Sequence, residues 1–157
     1  MRFCSSNAVS SVSRGIPLCI TLAKAVLAVF LFTLRGPATA SVAVAEITKA
    51  VAAMGSIAKD NFAKGCKMLM QYEEEQVADI DADEDCLDQF ADRSDRFLIG
   101  LSKVIETETE DRQVDMLMQT VPNFERIGDY ATNLVELGQR LNAEDSTFSD
   151  MARKELE

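Results

Sequence analysis

SVAVAEITKAVAAMGSIAKDNFAKGCKMLM, residues 41–70, is the stretch that decides the fold. Val44, Ile47, Val51, Met54, Ala58, Asn61, Gly65 and Met68 recur at alternating spacings of three and four. That is the stripe of an amphipathic helix with a neighbour along its whole length. No proline interrupts residues 38–121. The spacing therefore predicts one helix from about 41 to 72, long for a globular protein and ordinary for a bundle. An asparagine and a glycine stand on the stripe, so its lower half is expected to approach a neighbour closely.

Two further stripes follow. Val77, Ile80, Glu84, Leu87, Ala91, Ser94, Leu98 and Leu101 repeat at the same spacing after the acidic run Glu73–Glu75, and Ile105 with the polar run Glu106–Glu110 closes them. Val114, Leu117, Val121, Phe124, Gly128, Ala131, Val135 and Gly138 form the third, with Ile127, Leu134 and Leu141 beside it. Pro122 interrupts this helix and predicts a kink. Short polar connections between three long helices imply antiparallel neighbours. The expected fold is all-α: an antiparallel three-helix bundle over 41–142. Residues 143–157 then read as a loop and the start of a fourth helix, with Ser149 as its N-cap. A helix so soon cut short suggests a fragment of a longer protein.

Upstream, residues 16–34 read IPLCITLAKAVLAVFLFTL, with Lys24 the one charge. The stretch is just long enough to span a bilayer core, for which about 20 apolar residues suffice. A lysine near its middle costs about 2.5–3.5 kcal/mol on the insertion scale. A signal peptide is the competing reading, with Ala38-Thr39-Ala40 as its cleavage site. Residues 1–15 carry no assignment, and 35–40, opening on Arg35-Gly36-Pro37, read as a linker.

Composition agrees with helices. Aromatic residues are 6% of the chain and Trp is absent, which disfavours a sheet. The net charge is −10, yet residues 1–40 hold four bases and no acid, so all 26 acids fall in residues 41–157. Such a body repels phosphate backbones, and nucleic acid is excluded as a partner. The absence of His removes the commonest general base and transition-metal ligand. The four cysteines show no CxxC and no short pairing, and Cys66 and Cys86 read as core filler. No nucleophile–base pair, phosphate loop or nucleotide motif is present, so no enzymatic activity is expected.

Acids stand at helical spacing on two of the helices. Asp81, Asp85, Asp88 and Asp92 line one face of the second, and Glu125 and Asp129 are an i, i+4 pair on the third, extended by Asn133. Like charges so placed destabilise a helix by a few tenths of a kcal/mol per pair. A solvated face tolerates that, and such a stripe is ordinarily no more than one. At a helix seam, a cation would offset the repulsion. Gly128, beside Asp129, costs about 0.8–1 kcal/mol against Ala, which suggests a close approach to the backbone there. All-oxygen donors suit hard cations such as Mg²⁺, Mn²⁺ or Fe.

Asn123-Phe124-Glu125-Arg126-Ile127-Gly128-Asp129-Tyr130-Ala131-Thr132-Asn133-Leu134 closely resembles the signature helix of PhoU-type domains, with its E-R-I-G-D core followed by A-x-N. Asp81-x-x-x-Asp85-x-Leu87 matches the family's other acidic motif; Glu84 departs from it, standing where the family usually has an aliphatic residue. Arg35-Gly36-Pro37, after an apolar segment and before a helix with Val51-Ala52-Ala53-Met54-Gly55, is similar to the C-terminal part of bacterial sodium/phosphate cotransporters. Phe148-Ser149-x-x-Ala152-x-x-Glu155-Leu156 resembles the opening helix of a second three-helix repeat. The resemblance covers about 37–157.

The resemblance implies a regulatory role over phosphate uptake, with metal (Fe, Zn, Mn or Mg) bound through Asp81, Asp85, Glu125 and Asp129. It also implies an inner-membrane location with residues 16–34 in the membrane and the bundle on the cytoplasmic side. The partners implied are the transporter's membrane domain or another PhoU repeat. An uncovered apolar face would favour self-association. The alternatives are a metal-free helical adaptor and, if residues 1–40 are a signal peptide, a secreted helical protein. A carboxylate di-metal oxidase falls because such bundles use Glu-x-x-His motifs.

Overall fold

The computed structural model describes residues 37–156. Residues 1–15, the apolar segment 16–34 and the first part of the linker lie outside the described residues, and with them the choice between span and signal.

Helix α1 is Pro37–Met70, followed by a 3₁₀ turn at Glu74–Gln76; helix α2 is Val77–Ser102, α3 is Glu108–Ala143 and α4 is Asp150–Leu156. Residues 37–40, read as linker, are helical instead. Proline is tolerated in a helix's first turn, where its missing N–H would have no partner in any case.

The bundle is all-α, and no strand occurs among the described residues. The three stripes meet in its core. Every residue of the α1 stripe is buried, from Val44 to Met68. Ile80, Leu87, Ser94, Leu98 and Leu101 of the α2 stripe are buried, as is all of the α3 stripe except half-buried Phe124. Ile80, near the start of α2, clusters with Met68 and Val135, near the ends of α1 and α3. Helix α2 therefore runs antiparallel to its neighbours, while α1 and α3 run parallel. Ser41 near the start of α1 accordingly donates a hydrogen bond to Glu110 near the start of α3.

Two glycines set how closely α1 and α3 meet. A β-carbon on Gly65 would lie 2.8 Å from the Ala131 carbonyl oxygen, and one on Gly138 would collide with the Met68 carbonyl. The lower halves of the two helices thus touch backbone to backbone, as the glycine on the α1 stripe predicts. Helix α3 runs through Pro122. Ala40–Met70 is long and apolar enough to cross a membrane, but 44% of its apolar window is buried inside the bundle, where it serves as the core helix.

Candidate functional site

The acids fall into a seam along one side of the α2–α3 contact. On α3, the i, i+4 pair Glu125 and Asp129 is half-buried. On α2, Asp81, Asp85, Asp88 and Asp92 are exposed, and Glu84 stands half-buried among them. Glu84 and Glu125 report how the two rows face each other. The Glu125 carboxyl is pushed above the ordinary value of 4.5, first by desolvation, then by Asp129 and Asp88, with Arg126 partly offsetting them. Glu84 is raised likewise, by burial first and then by Asp129, Asp85, Asp88 and Asp81. Both shifts have the same cause: a carboxylate losing water beside other carboxylates.

Of the four residues expected from sequence, Glu125 and Asp129 lie in the middle of this seam, with Asp85 and Asp81 on its outer, solvated edge. Two members were not among the four. Asp88 stands one turn further along the same face. Glu84 occupies an apolar-stripe position, and that is the signal that should have placed it: a stripe residue faces the neighbouring helix, so an acid there must enter the seam. Asp83 is drawn away, to an ion pair with Lys64 of α1. An open cleft of about 390 Å³ continues the seam, with Asp88, Asp92 and Glu125 on its acidic wall and Leu98, Val121 and Pro122 on its apolar side.

The oxygens fit a hard cation in donor chemistry. Among the described residues no three Asp, Glu, Cys or His side chains stand close enough together to hold a metal ion, so a cation here would have to draw the two acid rows together. Gly128 also has a different explanation from the one its sequence suggests. A β-carbon there would lie 2.7 Å from Leu87 Cδ1, so the group that approaches this backbone is the α2 core side chain.

The stretch that carries these acids is also where a known family is found. The PhoU domain matches residues 51–138, more than half of the chain. The chain belongs to the PhoU domain family. PhoU domains are regulatory, non-enzymatic helical domains, and their general role is in the control of phosphate transport. No curated protein and no solved structure matches the chain.

Proposed function

We propose that this PhoU domain restrains a sodium-dependent phosphate transporter and that its carboxylate seam takes up a divalent or trivalent cation. In this reading residues 16–34 tether the chain to the inner membrane with the bundle on the cytoplasmic side. The transporter's membrane domain, or another PhoU repeat, is the partner. The observation that carries the cation reading is that Glu84 of α2 and Glu125 and Asp129 of α3 are all half-buried along one seam; the upward shift of Glu84 and Glu125 by burial and by the neighbouring acids agrees with it. A charge cluster held together at a cost to itself is one that a cation would stabilise. The transporter reading rests on the order of an apolar segment, a short basic break and a PhoU bundle.

A second reading, a helical interaction module without metal, is favoured by the separation of the donors. Elemental analysis of the full chain beside Glu125→Ala/Asp129→Ala decides between them. Stoichiometric Fe, Zn or Mn in the parent, lost in a variant of equal helicity, supports the cation site. No metal in either, after loading with each ion, overturns it. Phosphate uptake with and without sodium, in cells expressing the parent or this variant, tests the link to the transporter. An uptake rate indifferent to the chain would sink that link.

A further inference from the structure

Away from the seam, α1 and α3 leave exposed and half-buried apolar side chains beside the line on which they meet. On α1, Gly55, Phe62 and Leu69 stand at heptad spacing along one line. The line meets α3 at both ends: Gly55 lies against Phe124, and the Leu69 Cα lies against Gly138. Phe62, midway between, is 38% exposed. On α3, Tyr130, Leu134, Leu137 and Leu141 stand at spacings of four, three and four, so they share a face. Tyr130 is 52% and Leu137 42% exposed. Large aromatic and aliphatic side chains displayed together in this way mark an interaction surface.

The rims of this α1–α3 groove carry bases, against the net negative charge of the chain. Lys59 is three residues before Phe62 and Arg140 three after Leu137, and both are exposed; Arg126, four before Tyr130, lies between this rim and the seam, where it also acts on Glu125. Arg140 holds one acid, Glu136, at 3.5 Å across solvent. An apolar strip between basic rims, on a chain with a net charge of −10, selects its occupant by charge. A second copy of this chain would bring basic rim against basic rim, and an anionic membrane would be repelled by the acidic body.

We propose that the α1–α3 groove docks an amphipathic helix of a partner protein, with leucine-type anchors at i, i+3, i+4 and i+7 and Glu or Asp on its flanks. This is the helix-in-groove mode, in which apolar anchors supply affinity and rim charges set register. The proposal stands independently of the transporter and cation readings.

The test is fluorescence anisotropy of the full chain in neutral detergent with two labelled helical peptides. They share one leucine stripe and differ in flanks, Glu in one and Lys in the other. The Glu-flanked peptide is expected to bind and to weaken with salt. Binding should fall at least tenfold in Tyr130→Ser/Leu137→Ser, with helicity unchanged. Lys59→Glu/Arg140→Glu, which leaves the anchors in place, should turn the preference toward the Lys-flanked peptide. Failure of the Glu-flanked peptide to bind, or binding indifferent to both variants, overturns the proposal. So does a concentration-dependent dimer of the parent that Tyr130→Ser/Leu137→Ser dissolves, because a second copy would then be the occupant.

Discussion

Single residues in this bundle carry costs that can be measured one at a time. Ser94 is fully buried and its hydroxyl has no hydrogen-bond partner. Leaving a buried hydroxyl unpaired costs about 1–3 kcal/mol, so Ser94→Ala is expected to raise the urea midpoint without changing the slope. A lower midpoint would mean that the hydroxyl has a partner, such as a bound water. Glu84 and Glu125 carry a cost of a different kind, one that depends on pH. Their folded values lie above the unfolded value near 4.5, so the folded state binds protons more tightly than the unfolded state. Their destabilising effect is complete above the raised values and is relieved as pH falls through them toward 4.5. Glu110 is shifted downward by hydrogen bonds from Ser41 and Thr107, and its contribution is lost only as pH falls below 4.5. Thermal stability should therefore rise on acidification from pH 7.5 toward pH 5, and that rise should flatten in Glu84→Gln/Glu125→Gln. Melts at half-unit pH intervals would show it. A parent curve that falls steadily from pH 7.5 would mean the seam acids do not feel one another.

At the scale of the helices, the ends and crossings were legible to different degrees. Heptad spacing located the stripes because a core position is defined by its helix's own period, which is local information. The Ser149 N-cap was legible for the same reason: its hydroxyl accepts the Ala152 N–H at 3.2 Å, as a capping serine should. The start of α1 was not, because proline signals both a break and a favoured first turn, and the surrounding chain decides which. Nor was the reason for Gly128, since what fills the space beside a glycine belongs to another helix. The end of α3 shows a finer feature. Ser146 N–H reaches the Leu141 carbonyl at 2.9 Å and Asp145 N–H reaches that of Asn142 at 3.3 Å, closing a Schellman turn. Asp145 takes the left-handed position with φ 50°, where glycine carries no penalty. Asp145→Gly should stabilise the fold by up to about 1 kcal/mol, and a neutral or negative result in urea melts would show that the aspartate side chain holds the turn. Glycines at the crossings should behave in the opposite way. Gly138→Ala gains about 1 kcal/mol of helix propensity but drives a methyl into the Met68 backbone, where overpacking costs about 1–3 kcal/mol. Net destabilisation is expected there. Gly100→Ala, with nothing within 4 Å, should be neutral or stabilising. Equal effects at the two positions would show that α1 and α3 do not touch at this point.

For the whole molecule, charge is sorted by helix. Asp81, Glu84, Asp85, Asp88 and Asp92 of α2 and Glu125 and Asp129 of α3 gather along their seam, while α1 contributes Lys49, Lys59, Lys64 and Lys67 against Glu46 and Asp60. Sequence gave the excess of acid but not its partition into an acidic seam and a basic-rimmed groove, because which faces adjoin depends on how the helices are rotated against one another. Two effects of added salt follow from this partition and can be separated. Monovalent salt screens the repulsion of the exposed acids over a Debye length of about 10 Å at 0.1 M, so NaCl should raise the melting temperature gradually. A divalent ion at equal ionic strength does no more than this if it only screens. If it is held between α2 and α3, it stabilises by mass action, about 2.7 kcal/mol at a hundredfold excess over its dissociation constant. Melts in MgCl₂ or MnCl₂ against NaCl of matched ionic strength are expected to show an added, saturable shift that Asp129→Asn removes. A shift that coincides with the NaCl curve would leave the seam a solvated acidic face. The regulatory role of the PhoU fold would then have to act through surfaces such as the groove on its other side.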